Sequence, residues 1–217
     1  ADRIQWMDGM LVIDGDIVMH VQDVIDSRFR RYRPGELISS SYQRGIRVVI
    51  TPTLQSVWDG PVRAAISQWN NASHRTGEGI TFRTNINMSM GTWSKRHLYA
   101  NKIEVVSSGG AGSYGDFPSG GKPGRRLRFS PDPEEWGAGT EGIALHEMGH
   151  ALGLDHFDEC DEAEPIITQE GFDWCTYGRP SDSVVMRGGG IWSKTLTWRD
   201  RFTIAVLYPR RYGGGGR

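Results

Sequence analysis

The sequence predicts an α/β (α+β) fold in which a twisted mixed sheet packs against two helices. Short β-branched segments alternate with stretches whose apolar residues recur at helical spacing. Of the 217 residues, 37% are hydrophobic and 8 are Trp, which is enough apolar material for one sizeable core. The formal net charge of −1 gives no reason to expect a nucleic-acid or membrane partner.

The strands are predicted from their β-branched residues and from the glycine-rich loops that separate them. They cover residues 44–51, 80–82, 103–106 and 125–130. Pro52 ends the first of them. The last alternates charged and apolar residues, which predicts an exposed edge strand able to align an extended peptide.

Three helices follow from apolar periodicity. They cover residues 57–72, 140–152 and 197–208. In the second helix, Leu145, Met148 and Leu152 form an apolar stripe that predicts its packing face. The third helix has Thr197 as its N-cap and Pro209 as its stop.

Three of the six histidines lie within residues 146–156, His-Glu-Met-Gly-His-Ala-Leu-Gly-Leu-Asp-His. His146 and His150 are four residues apart, so a helix places both imidazoles on one face. Glu147 lies beside them, within reach of a metal-bound water. A His-Glu-x-x-His segment can also decorate an amphipathic helix by chance, but the residues that follow reduce that alternative.

Gly153 can adopt backbone angles closed to other residues, so the chain can leave the helix there and bring His156 round as a third ligand. Three neutral imidazoles with an open fourth position describe a catalytic Zn²⁺ site. In such a site Glu147 accepts a proton from the metal-bound water and passes it to the leaving amine. The pattern therefore predicts a zinc peptidase.

With Met186 thirty residues after His156, the extended motif resembles the metzincin clan of zinc endopeptidases. The resemblance covers residues 44–210. It implies a small C-terminal subdomain and helix, a tight turn that carries Met186 beneath the histidines, and a peptide or protein substrate. Two positions depart from the family patterns. Phe157 is not the residue typical of matrixins, serralysins or astacins, and Gly188 stands where astacins and serralysins have a tyrosine.

Residues 12–17 resemble the Phe-x-Gly-Asp segment of astacin propeptides, with Ile13 in place of Phe. The resemblance implies that Asp16 occupies the fourth zinc position and that Gly15 lets the backbone pass close to the metal. Asp14-Gly15 is equally a strong hairpin-turn signal, and both interpretations stay open.

The domain organisation follows from the propeptide interpretation. We expect residues 1–40 to be a propeptide that inhibits its own catalytic domain, residues 41–212 to be that domain, and residues 213–217 to be a glycine-rich tail. Four arginines within residues 28–33 offer a site for trypsin-like processing or autolysis. The alternatives are an active protease whose N-terminal segment is an integral hairpin, a non-catalytic zinc-binding module, and a metal-independent binding domain.

The two cysteines, Cys160 and Cys175, lie in an acidic segment after the histidine motif. A disulfide that closes this loop is favoured over two free thiols, and it points to an oxidising compartment. The start at Ala1 suits a chain whose leader was removed. We therefore expect a secreted, extracellular monomer.

Overall fold

The computed structural model describes residues 4–7, 10–13, 17–20, 37–75, 81–109, 112–133, 139–154, 185–186 and 193–210. The helices are α1 (Pro52–Asn70), α2 (Thr140–Ala151) and α3 (Trp198–Leu207), with a 3₁₀ helix over Trp93–Leu98. The strands are β1 (Ile4–Met7), β2 (Met10–Ile13), β3 (Ile17–His20), β4 (Ile46–Ile50), β5 (Ser73–Arg75), β6 (Thr81–Arg83), β7 (Met88–Met90), β8 (Lys102–Ser107), β9 (Tyr114–Gly115) and β10 (Arg126–Phe129).

The central sheet contains five of the described strands, in the order β7-β4-β8-β10-β9. Strand β4 pairs in parallel with β7 and β8, and β8 pairs in parallel with β10. Among the five described strands of this sheet, only β9 runs antiparallel to its neighbour, β10. Helices α1 and α2 pack against this sheet and against each other. The prediction of a mixed α/β fold is confirmed.

Strand β10 forms where the alternation predicted a strand, but it does not lie at the edge of the sheet. Leu127 and Phe129 are fully buried, while β8 and β9 flank the strand on its two sides. Alternation reports that one face of a strand is buried and says nothing about how many neighbours the strand has. The prediction of an exposed edge over residues 125–130 is therefore wrong, and β9 takes that place.

Helix α1 begins at Pro52, earlier than the apolar spacing predicted. Proline suits the first turn of a helix because its fixed φ is already helical and its missing N–H would have had no helical partner. The same residue therefore ends β4 and starts α1. Leu54, Trp58 and Val62 line the buried face of the helix, with no exposed surface.

Two tryptophans of α1 connect it to its neighbours. Trp58 stacks on Phe129, with ring centroids 4.1 Å apart, and its Nε1–H donates to the Ser130 carbonyl at 2.9 Å. Trp69 donates its Nε1–H to the carbonyl of Leu145 in α2 at 3.0 Å. A buried indole N–H needs such an acceptor, so both bonds contribute to stability and to orientation. Helix α1 thereby fixes α2 against the sheet.

Helix α2 is buried on every side from Gly142 to Ala151. Its predicted apolar stripe is buried as expected, and the opposite face is buried too. His146, Glu147 and His150 are only 5%, 4% and 7% exposed. The polar face of this helix is therefore an interior surface, covered by β9 and by the turn at residues 185–186.

Helix α3 confirms the predicted C-terminal helix and its N-cap. Thr197 and Asp200 form a capping box, in which each side chain accepts from the other residue's backbone N–H. Tyr208 follows the helix, and its carbonyl accepts from the Asn85 N–H at 2.7 Å. The 209–210 segment continues beside residues 83–84, which ties the C-terminal end of α3 to β6.

Strands β1, β2 and β3 form a separate antiparallel sheet in the order β1-β2-β3. Strand β2 pairs antiparallel with β3, from Met10 opposite His20 to Ile13 opposite Ile17, while Asp14 and Gly15 lie outside the described residues. Among the described helices, none combines the length and the apolar character needed to cross a membrane.

Candidate metal centre

His146 and His150 lie one turn apart on α2 and direct their rings to the same point. The ring centroids are 4.7 Å apart with the ring planes nearly perpendicular, and the two Nε2 atoms are 3.1 Å apart. Phe117, just after β9, packs on the ring of His150 with centroids 5.1 Å apart. The predicted helical spacing has thus brought two imidazoles together in a buried, partly aromatic environment.

A backbone carbonyl holds the other nitrogen of each ring. His146 Nδ1 lies 2.6 Å from the Val185 carbonyl oxygen, and His150 Nδ1 lies 2.8 Å from that of Leu154. A carbonyl can only accept, so each Nδ1 carries the proton and donates it. In the neutral rings, both Nε2 atoms are then acceptors. This is the tautomer that a metal-binding histidine needs.

The carbonyl of Leu154 reaches His150 because α2 ends in a Schellman motif. Gly153 adopts φ +92°, its N–H donates to the His150 carbonyl at 2.9 Å, and the Leu154 N–H donates to the Gly149 carbonyl at 3.0 Å. This geometry turns the chain back over the last helical turn, as the sequence predicted for Gly153. Of the other predicted site residues, His156, Asp16, Cys160 and Cys175 lie outside the described residues.

Met186 packs directly against α2 at the glycine between the two histidines. A Cβ built on Gly149 would overlap the Met186 sulfur and would lie 3.0 Å from its methyl carbon and 3.2 Å from Trp69. Met186 and Val185 are both fully buried. The close approach therefore depends on the missing side chain of Gly149, and it places the Val185 carbonyl against His146.

Glu147 lies on the same helix, with its carboxylate beside strand β9. The Gly115 N–H donates to this carboxylate, yet burial dominates and raises the pKa of Glu147 to about 8. A cation held by the neighbouring imidazoles favours the charged carboxylate and acts against that rise. A Cβ on Gly115 would lie 2.5 Å from the Glu147 carbonyl oxygen, so β9 approaches α2 this closely only with glycine there.

Asp200, in the first turn of α3, hydrogen-bonds to the turn at residues 185–186. Its Oδ2 accepts from the Thr197 N–H at 2.8 Å, from the Thr197 hydroxyl at 2.7 Å and from the Val185 N–H at 3.4 Å. Burial raises the pKa of Asp200, while these bonds and the Met186 N–H favour its charged form. The sequence predicts Thr197 as an N-cap, but no sequence signal indicates the contact of Asp200 with Val185.

A family model described as the dual-action HEIGH metallo-peptidase matches residues 11–166. The chain belongs to this family. Read as residues, HEIGH corresponds to positions 146–150, with Met148 in place of isoleucine. Met148 is fully buried, so the exchange keeps an apolar core position. The predicted metallopeptidase is therefore confirmed, and the matched range of this HEIGH metallopeptidase includes His156 and all of β2 and β3 except Met10.

Solved structures that resemble this HEIGH metallopeptidase are distant in sequence. High choriolytic enzyme 1, a hatching enzyme zinc-protease from Oryzias latipes (medaka fish), is 19% identical over 80% of this chain and 93% of that chain, with a TM-score of 0.45. Two structures of myroilysin are each 16% identical with a TM-score of 0.44; they cover 87% and 88% of this chain and 96% of their own. No curated protein matches in sequence.

The two histidines of this HEIGH metallopeptidase fit a zinc ion. Two Zn–N bonds of about 2.0–2.1 Å at a tetrahedral angle place their nitrogens about 3.3 Å apart, close to the observed 3.1 Å between the Nε2 atoms. Both nitrogens are acceptors, and a cation relieves the repulsion between their lone pairs. Zinc, which imidazole binds well, is the cofactor that this pair takes. Within the described ranges, no third His, Cys, Asp or Glu completes a metal-binding group.

Replacing Gly149 by Ala tests the packing under the metal centre. The new methyl group overlaps Met186, so the 185–186 turn must move and His146 loses its carbonyl partner. We expect a loss of about 1–3 kcal/mol in the free energy of unfolding, measured with urea, together with weaker zinc binding in a chelator competition.

Gly60 provides the matched control, because it is also a helical glycine but has nothing within 4 Å of a built Cβ. Gly60→Ala should leave zinc binding unchanged, although it should not stabilise the helix, because Pro61 disfavours helical backbone angles for an alanine before it. Equal losses of zinc affinity in the two variants would contradict the packing argument.

Proposed function

We propose that this metallopeptidase is a zinc endopeptidase in which His146, His150 and His156 hold the metal and Glu147 is the general base. One observation carries the proposal. The Nε2 atoms of two buried imidazoles lie 3.1 Å apart, and backbone carbonyls fix both rings in the metal-binding tautomer. His156 joins them in this proposal because it follows the turn at Gly153 by three residues and falls within the matched family region.

The protein residues around the metal have distinct roles in hydrolysis. Bound zinc supplies Lewis-acid polarisation of the scissile carbonyl and lowers the pKa of its water to about 7. The Glu147 carboxylate takes a proton from the attacking water and later gives it to the leaving amine. The Gly115 N–H orients that carboxylate from β9. Burial of Glu147 strengthens the electrostatic interactions on which both proton transfers depend.

The substrate in this proposal is an extended peptide that pairs with β9. The Asp116 N–H donates to Arg126 of β10, so the peptide groups of Gly115, one residue earlier, face the opposite side of the strand. The Gly115 N–H meets Glu147 on that side, and the Gly115 carbonyl is placed to accept from a substrate N–H. Pairing along this edge carries the substrate past the general base by β-augmentation.

Replacing Glu147 by Gln should remove most peptide hydrolysis while zinc stays bound, because the amide cannot accept the proton. Turnover of a quenched peptide and metal content measured on the same samples check this. Glu141→Gln is the matched control on the same helix, since Glu141 is half-exposed and faces Lys194 at 3.7 Å. Full activity in Glu147→Gln with zinc retained would refute its role, and a zinc-loaded wild type without turnover would favour a non-catalytic module.

We also propose that the β2–β3 hairpin keeps the enzyme latent, with Asp16 as the blocking ligand. The proposal rests on the resemblance of residues 12–17 to a propeptide segment and on the antiparallel pairing of the strands β2 and β3 that precede and follow Asp16 in the chain. Processing must then occur before Leu37. This boundary, a few residues before the expected residue 40, is supported by the burial of Ile38, which is 1% exposed, and by the Ser39 N–H, which donates to the Gly121 carbonyl at 2.8 Å.

Asp16→Ala should raise basal turnover and make it insensitive to trypsin cleavage within residues 28–33, because no carboxylate then competes for the metal. Asp14→Ala, in the same hairpin connection, should behave as wild type, whose turnover rises after trypsin. Initial rates on a quenched peptide before and after limited trypsin treatment measure this. If both variants match wild type, the hairpin is instead an integral part of an active protease.

A disulfide between Cys160 and Cys175 and an extracellular location complete the proposal. Thiol titration of the denatured protein should detect no free thiol before reduction and two afterwards. Two reactive thiols in protein purified without reductant would remove the argument for an oxidising compartment.

A further inference from the structure

Helix α3 contacts both of the turns that orient the imidazoles, although it lies more than forty residues beyond the motif. We propose that α3 positions the metal-binding histidines through its two ends, with Asp200 and Tyr208 as positioning residues. Asp200 acts on His146, and Tyr208 acts on His150. This inference rests on the proposed roles of the two histidines as ligands and adds residues that the motif does not contain.

The first connection starts at the N-terminal end of α3. The capping box fixes the Asp200 carboxylate, since Thr197 donates to it through both its N–H and its hydroxyl. The same oxygen accepts the Val185 N–H, and the Val185 carbonyl accepts from His146 Nδ1. A single residue, Val185, therefore connects the buried Asp200 carboxyl group to a metal-binding ring. Moving the carboxylate moves the carbonyl that sets the ring's orientation.

The second connection starts just beyond the C-terminal end of α3. The Tyr208 hydroxyl donates to the Leu152 carbonyl at 2.7 Å and accepts from the Ile38 N–H at 3.3 Å. Leu152 is the C-cap of α2 and immediately precedes the Gly153 turn. Its carbonyl is among the last of the helix, which have no intrahelical partner, so the phenol satisfies it. A Cβ on Gly153 would lie 3.2 Å from this hydroxyl.

The hydroxyl of Tyr208 therefore packs against the turn whose next residue, Leu154, offers its carbonyl to His150. Tyr208 is fully buried, and its backbone carbonyl accepts from the Asn85 N–H. This bond fixes the backbone from which the phenol extends. The two connections meet in one short, capped helix. Groups that hydrogen-bond to metal-binding histidines commonly change metal affinity 10–100-fold when removed. Asp200 acts through one intervening residue and Tyr208 through the turn from Leu152 to Leu154, so a change at the low end of this range is expected.

The test measures zinc affinity of the full-length, metal-free protein by competition with a chromophoric chelator. Asp200→Asn and Tyr208→Phe should each weaken zinc binding by roughly tenfold. Two controls match them. Thr203→Val removes a buried hydroxyl of α3 that has no hydrogen-bond partner among the described residues. Tyr99→Phe removes a phenol that accepts the Thr92 N–H away from the site. Both controls should bind zinc as wild type does.

Double substitutions separate positioning from general stabilisation. The effect of Asp200→Asn should disappear in a His146→Ala background and persist in a His150→Ala background, with the opposite pattern for Tyr208→Phe. Imidazole ¹⁵N spectra of the metal-free protein give a second readout. Asp200→Asn should speed proton exchange at His146 Nδ1, and Tyr208→Phe should speed it at His150 Nδ1. Should Asp200→Asn not fold, Thr197→Val, which removes one donor to the same carboxylate, replaces it.

Unchanged zinc affinity in the folded variants would overturn the inference. So would an equal loss in both histidine backgrounds, because a merely structural role does not depend on which ligand is present. The proposed function fails in a different way. If His146→Ala and His150→Ala themselves leave zinc affinity unchanged, the ligand assignment is wrong, whereas if they weaken zinc binding measurably and the α3 variants do not change it, only the positioning role is lost.

Discussion

The two hydrogen bonds from His146 and His150 to backbone carbonyls are the constraint on which the metal centre depends. Each bond fixes which ring nitrogen carries the proton. Each requires a carbonyl oxygen at 2.6–2.8 Å from the ring Nδ1, from a residue beyond the end of α2. Two separate turns supply these carbonyls, one at the end of α2 and one at residues 185–186. The surrounding structure fixes these two turns: Gly149 leaves room for one, and Gly153 permits the other.

Burial makes this arrangement specific. His146, Glu147 and His150 lie in an interior where an unpaired polar group costs about 1–3 kcal/mol. Each group therefore has a defined partner, and an imidazole that rotated away from its carbonyl would lose that partner without gaining water. A metal bound in such a place meets rings that are already oriented, so little conformational freedom is lost when it binds. The same burial brings strand β9 against Glu147, where Gly115 allows the contact.

Sequence patterns predict the parts of this structure that are local. The spacing of His146 and His150, the turn at Gly153 and the N-cap at Thr197 depend on neighbouring residues, and all three are found where the sequence places them. The edge position of residues 125–130 was wrong, because β9 is two residues long and leaves no periodic signal. The contacts of Val185, Asp200 and Tyr208 were not predicted either. These contacts join residues far apart in the chain. His146 bonds the Val185 carbonyl and Tyr208 bonds the Leu152 carbonyl, and every amino acid has such a carbonyl.

Helix α2 has a further property that follows from its composition. It is twelve residues long, contains Gly142 and Gly149, and has no side-chain cap at its N-terminus. A helix of that kind is unstable in isolation and forms because its neighbours bury it. During synthesis the histidine motif leaves the ribosome before Val185, Asp200 and Tyr208 do. The nascent chain therefore carries all the residues of the motif before it has the geometry that hydrolyses peptides. It cannot cleave peptide bonds until folding is complete.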